Sequence, residues 1–233
     1  MIRFPSDNLT TAGQNGAYFT VMEEGSEHRI RFHDYASIYK RPGLYEQLFY
    51  DRLKCTSPGK LSDLLRQVVR ESGSDPTHMR VLDVGAGNGM VGEQMVGHGA
   101  ARMVGVDIIP EAAMAADRDR PGTYDAYYVT DLTALDPAQK SELADWNFDA
   151  MITVAALGFG DIPVQAFSAA YNLIADSGWI AFNISACCAC WSAWNGRTRG
   201  RCASKACRWN GIIFCSCGSV SVTSFRRAAC SRT

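Results

Sequence analysis

Residues 80–89 read Arg80-Val81-Leu82-Asp83-Val84-Gly85-Ala86-Gly87-Asn88-Gly89. Arg80–Val84, with three aliphatic residues and the length of one strand, meets three glycines at alternate positions, and Met90–Gly97 then opens a helix. The glycines let the main chain turn tightly and leave it bare for a ligand to lie against. The same period repeats downstream. Strands are expected at Met103–Asp107, Tyr124–Thr130, Phe148–Val154 and Trp179–Ile184, alternating with helices at Pro110–Asp119, Pro137–Ala144 and Pro163–Ala175. Short apolar runs separated by helical stretches mark a parallel sheet with crossovers. Five such repeats predict an α/β fold, a doubly wound and mainly parallel sheet with helices on both faces.

Upstream, Ala17–Met22 and His28–Phe32 flank Glu23-Glu24-Gly25-Ser26-Glu27 as a short hairpin. Leu44, Leu48 and Phe49 have helical spacing, which predicts a helix over 43–54 entered through Pro42-Gly43. A further helix starts at Ser57-Pro58, carries Leu61, Leu64, Leu65, Val68 and Val69 on one face, and stops at Ser72-Gly73. The expected division is 1–57 for a hairpin and helical cap, 58–185 for the ligand-binding core, and 186–233 for an atypical tail.

The 233 residues are 47% hydrophobic and 20% charged, a balance that excludes a disordered chain. No run approaches the ~18 consecutive apolar residues of a membrane helix. Met1–Asp7 has no apolar run of the kind a secretion signal carries, so a cytoplasmic protein is expected. The net charge of −1 conceals a split: residues 1–176 hold 15 basic and 24 acidic side chains, net −9, and residues 177–233 hold eight basic and none acidic, net +8. An acidic main body argues against a surface that tracks phosphates, so nucleic acid is not the favoured partner.

Acidic residues sharpen the reading of the glycine loop. Asp83 sits just inside it, Asp107 ends the second strand of the core and Asp131 follows the third, each 24 residues from the last. One β-α period apart, the three carboxylates are expected at one sheet edge, where open parallel sheets bind ligands. A pyrophosphate prefers amide donors without neighbouring carboxylates. Three acids suit a cationic ligand with hydroxyls and an exocyclic amine. A dinucleotide fold also carries an acid about 20 residues past its glycines, so Asp107 alone does not discriminate. The last glycine of the dinucleotide fingerprint would fall on Met90. Ordinary turn residues at strand ends remain the plainer alternative for any single aspartate.

Residues 80–184 resemble class I S-adenosylmethionine-dependent methyltransferases, whose sheet is Rossmann-like. Val81–Gly89 matches that family's first motif, Val104-Gly105-Val106-Asp107 resembles its second and Val129-Thr130-Asp131 its third, while Phe148–Gly158 and Gly178–Ile184 hold the places of the fourth motif and fifth strand. The resemblance implies S-adenosylmethionine as cofactor. It also implies binding residues at Asp83, Gly85, Ala86, Gly87, Asn88, Gly89, Asp107, Ile108, Asp131, Leu132 and Val154. In these roles Asp83 organises the loop near the amino-acid end, Asp107 accepts from the ribose hydroxyls and Asp131 reads the adenine amine. The segment His33-Asp34-Tyr35…Tyr39…Tyr45 resembles the helical cap of small-molecule members. There Tyr35 and Tyr39 would cover the sulfonium, by cation–π attraction worth ~0.5–2 kcal/mol, and exclude water. Core packing is the competing role for all these rings, and the favoured one for Tyr45 and Tyr50.

Methyl transfer is an in-line displacement for which the protein supplies alignment and desolvation. A base is needed only where the acceptor must lose a proton first, and His33, Asp34 and Asp161 are its candidates. The exit of the fourth strand, Thr153–Asp161, lacks both the Asn/Asp-Pro-Pro-Tyr/Phe box of amino methyltransferases and the Pro-Cys nucleophile of cytosine enzymes. A small-molecule acceptor is therefore expected, with no metal. The alternatives are a nicotinamide-dependent oxidoreductase and an inactive methyltransferase-like binding protein.

After Ser185 the composition changes abruptly. Eight of the nine cysteines lie from Cys187 to Cys230, among arginines and tryptophans. Zinc binding through Cys187 and Cys190, contact with nucleic acid, and GC-rich coding text read out of frame are three accounts, and the last is favoured. Gly211–Cys217 and Ser219–Phe225 alternate as a hairpin would, without an amphipathic helix before them, so the fifth strand is expected to risk lacking a neighbour.

Overall fold

Side chains alternate across each strand of the central sheet, and the alternation sorts the core into two layers. The computed structural model describes residues 1–5, 16–157 and 161–183 in full, and the backbone of 206–209, 212–215 and 220–224. In β4 (Arg80–Val84), Val81 packs with Leu61, Leu65 and Val69 of α2 (Ser57–Glu71) and with Val91 and Met95 of α3 (Met90–Gly97). Leu82 and Val84 point the other way, toward Leu143 of α5 (Pro137–Asp145) and Ala166 and Ala170 of α6 (Val164–Tyr171). A strand covered on both faces is apolar on both, as Val81, Leu82 and Val84 are, with the buried Asp83 the exception.

β5 (Arg102–Asp107), β6 (Ala126–Val129), β7 (Phe148–Thr153) and β8 (Ile174–Asn183) join β4 in the order β6-β5-β4-β7-β8, all parallel. Helix α4 (Pro110–Asp119) makes the crossover from β5 to β6. The strand order reverses between β4 and β7, so a crevice opens beyond the carboxyl end of β4, where the glycine loop lies. This is the expected Rossmann-like α/β fold.

Three elements differ from the sequence reading. The helix expected to reach Ala175 ends at Tyr171, because Ile174 is drawn into the sheet opposite Phe148 and buried there. Residues 175–178 bulge before Trp179 pairs with Ala150. The helix expected over 43–54 is a π-helix over Glu46–Arg52. The fifth parallel strand has a neighbour: β11 (Val220–Ser224) pairs antiparallel with β8, followed by β10 (Ile212–Cys215) and β9 (Ala206–Trp209). The hairpin anticipated by alternation is thus formed in the backbone, and it covers what would otherwise be an exposed edge. The tail cysteine side chains and the segment before β9 lie outside the described residues.

The N-terminal part has its own small core. β1 (Ile2–Arg3), β2 (Tyr18–Glu23) and β3 (Ser26–Arg31) form an antiparallel sheet, and Phe19, Ile38 and Leu48 are fully buried among its neighbours. Helix α1 (Tyr35–Tyr39) then leans on the main body, with Tyr39 against Ala112 and Ala115 of α4. No helix among the described residues is long and apolar enough to cross a membrane.

Candidate functional site

The loop after β4 is held by its neighbours on the β5 side. Gly85 and Ala86 donate their N–H groups to the Val106 carbonyl at 2.9 and 3.1 Å. Gly87 donates its N–H to Asp107 Oδ2 at 2.9 Å, and Ile109 donates to Asp107 Oδ1 at 3.0 Å. Asp107 therefore fastens the loop while keeping free acceptor sites, since a carboxylate offers about four. Burial pushes its carboxyl above the usual range, and the N–H donors of Ile109 and Gly87 oppose that shift. Gly87 has φ +55°, a region that disfavours any side chain, and the Tyr39 ring closes over it.

The loop forms one wall of a cavity of about 350 Å³ between cap and core, within the range of small-molecule sites. Gly85, Ala86, Gly87, Asn88, Asp107, Ile108, Asp131, Leu132 and Val154 line it from the core, and His33, Tyr35, Tyr39, Tyr45, Phe49 and Tyr50 from the cap. The cap rings form a chain: Tyr35 and Tyr39 centroids are 6.2 Å apart, Tyr39 and Tyr45 5.1 Å, Tyr45 and Phe49 4.7 Å. Ile108 is 63% exposed despite its apolar side chain, which leaves it available to a flat ligand at the β5 edge. Asp131 is exposed and accepts from both the N–H and the hydroxyl of Thr133, which hold its carboxyl below the usual range.

Two aspartates stand elsewhere than the spacing suggested. Asp83 shares a sheet face with Val81, so its side chain points under the loop rather than out of the strand end. It is fully buried, outside the cavity lining, and accepts from the Tyr124 hydroxyl at 2.8 Å through Oδ2, while Oδ1 has no hydrogen-bond partner among the described residues. Burial pushes its carboxyl up to about 7, with the Tyr124 bond opposing and the Asp107 charge adding to the rise. Asp34 also falls outside the lining. It caps α1, accepting the Ser37 N–H at 3.2 Å. Of the three candidate bases, His33 and Asp161 reach the cavity. Gly89 falls outside the lining and turns the chain into α3, whereas Asn88 lines the cavity and also donates through Nδ2 to Glu46 Oε1 at 2.6 Å.

Sequence reasoning missed the clasp that joins cap to loop. Arg120, its side chain only 9% exposed, donates through Nη1 to Glu46 Oε1 at 2.8 Å and to the Asn88 carbonyl at 3.0 Å. Its Nε donates to Glu93 Oε2 at 3.1 Å, and Nη2 to Met90 Sδ. Arg118 donates to the Tyr39 carbonyl at 3.0 Å. Tyr127, also missed, donates to the Gly87 carbonyl at 2.7 Å. An arginine at a helix end reads in sequence as a partner of the helix dipole, so no signal marked Arg120. For Tyr127 there was one, its period-2 placement on a strand beside the loop.

A bare loop at a topological switch point, an acid at the end of the next strand and a covering aromatic cap meet at the crevice of an α/β sheet of the class I methyltransferase type. Residues 82–182 match the family described as "Methyltransferase domain". No curated protein matches the chain in sequence. Among solved structures, an S-adenosylmethionine-dependent methyltransferase from Mesorhizobium loti is 21% identical over 53% of this chain and 55% of its own, with a TM-score of 0.39. The plantazolicin methyltransferase BpumL, in complex with SAH, is 15% identical over 64% and 56%, with a TM-score of 0.45. The N-methyltransferase NodS from Bradyrhizobium japonicum is 16% identical over 77% and 97%, with a TM-score of 0.45. The chain thus spans little more than half the length of the first two. Among the described residues no group of three His, Cys, Asp or Glu side chains is placed to hold a metal ion.

Proposed function

We propose that the chain transfers the methyl group of S-adenosylmethionine to a small-molecule acceptor. The observation that carries this reading is the meeting of the glycine loop, Asp107 and Asp131 with the cap tyrosines around one cavity. The groups present fit a cationic nucleoside: acids to accept from hydroxyls and an amine, aromatic rings for a sulfonium, and bare main chain where a Cβ at Gly85 would come within 2.9 Å of Ala156. The family match of residues 82–182 supports methyl transfer over hydride transfer.

When bound, S-adenosylmethionine supplies an activated methyl group. The residues of this chain do the rest. Asp107 holds the loop through the Gly87 N–H and has acceptor capacity left for ribose hydroxyls. Ile108 and Leu132 offer apolar faces to the base, Asp131 an acceptor for its amine, and Tyr35 and Tyr39 close the cavity against water. The direct test is incubation with S-adenosylmethionine labelled in its methyl group and a mixture of small metabolites. Label is expected in one acceptor class, and label recovered in none would count against catalysis by this chain.

We also read the tail beyond Ser185 as text out of frame, on its lack of any acidic residue. Sequencing the coding DNA across codons 180–190 decides this, and an intact frame removes the idea.

A further inference from the structure

We infer that the methyl acceptor is an amine on an apolar body, its nitrogen seated between His33 of the cap and Asp161 beyond β7; this rests on the methyl-transfer reading above. Both side chains line the one cavity, from different parts of the fold. Asp107 and Asp131 lie on the β5–β6 side of the glycine loop, whereas Asp161 follows β7 on the other side. The two sides are separated by the width of β4, so nucleoside and acceptor have distinct ends.

Electrostatics then selects nitrogen over oxygen. Burial raises the Asp161 carboxyl and His33 pulls it back, so carboxylate and imidazole share one field. An amine arrives as ammonium, the charge that a carboxylate and an aromatic lining attract. A neutral alcohol or phenol brings no charge for the Asp161 carboxylate to attract. The preference holds through the reaction. The ammonium first gives up one proton to solvent. The freed nitrogen lone pair forms the N–C bond as the C–S bond breaks, and the C–S electron pair stays on sulfur. Positive charge grows on nitrogen, and the Asp161 carboxylate beside it stabilises that charge. The new ammonium then leaves.

The test is calorimetric titration of the full chain, saturated with S-adenosylhomocysteine, with matched pairs: benzylamine and benzyl alcohol, hexylamine and hexanol, cyclohexylamine and cyclohexanol. At least one amine is expected to bind about ten- to a hundredfold more tightly than its alcohol. Asp161→Asn should abolish that preference at an unchanged thermal midpoint. Equal affinities in every pair, tighter alcohols, no measurable amine binding, or a preference that survives Asp161→Asn would each overturn the inference. Failure of S-adenosylhomocysteine to bind at the first step would instead remove the reading beneath it.

Discussion

The Tyr39 hydroxyl lies so close over Gly87 that a Cβ at that glycine would meet it at 2.5 Å and the ring carbon Cζ at 3.4 Å. Cap and loop are therefore fitted to each other at a residue whose N–H also binds Asp107. The absence of a side chain at 87 serves the turn and the cap at once.

Gly87→Val should therefore abolish binding of S-adenosylhomocysteine while leaving the far-ultraviolet circular dichroism unchanged. The left-handed backbone adds ~1–2 kcal/mol of strain to the steric conflict with Tyr39. Adding Tyr39→Ala should restore part of the affinity, because it removes the conflict and not the strain. Unchanged affinity in Gly87→Val would place the ligand elsewhere.

Asp107 and Asp131 should differ in their cost to cofactor affinity. Asp107→Ala frees two main-chain N–H groups and loosens the loop, so a loss of about a hundredfold or more is expected. Asp131→Ala removes an exposed acceptor, and about tenfold or less is expected. Calorimetry on both variants checks the order, and a reversed order would contradict the assignment of Asp107 as the fastening acid.

Much of this was legible in the sequence. Five β-α repeats gave the sheet, and the glycine spacing located the crevice, because strand burial and turn geometry are encoded locally. What escaped depends on direction rather than spacing. Asp83 is one residue from the loop, yet the period of two turns it under the sheet toward Tyr124. Ile174 fits a helical face equally well, and only its partner Phe148 decides that it is a strand residue. Arg120 and Glu46 are 74 positions apart, and no local pattern links them.

Asp83 should make stability depend on pH. Its carboxyl rises from 3.8 to about 7 on folding, so the native state holds the proton more tightly than the unfolded chain. That stabilisation is complete below pH ~4 and is lost as pH rises to about 7, a change on the order of 4 kcal/mol. Asp83→Asn cannot ionise. Its thermal midpoint should gain on the parent protein between pH 4 and 7, and a constant difference across that window would refute the buried acid.

The clasp predicts a separate loss. Arg120→Met leaves Glu46 without its cationic partner in a largely enclosed place, at a cost of about 3 kcal/mol in urea unfolding. Amide exchange over residues 35–52 should quicken as the cap loosens. A variant with parental stability and exchange would show that Arg120 does not hold the cap.

Titration calorimetry with two ligands decides whether the crevice takes a positively charged nucleoside or its neutral thioether product. S-adenosylhomocysteine is expected to bind the full chain with a one-to-one endpoint, and NADH to give no heat above dilution. Binding of NADH, or silence with S-adenosylhomocysteine, would contradict this reading of the crevice.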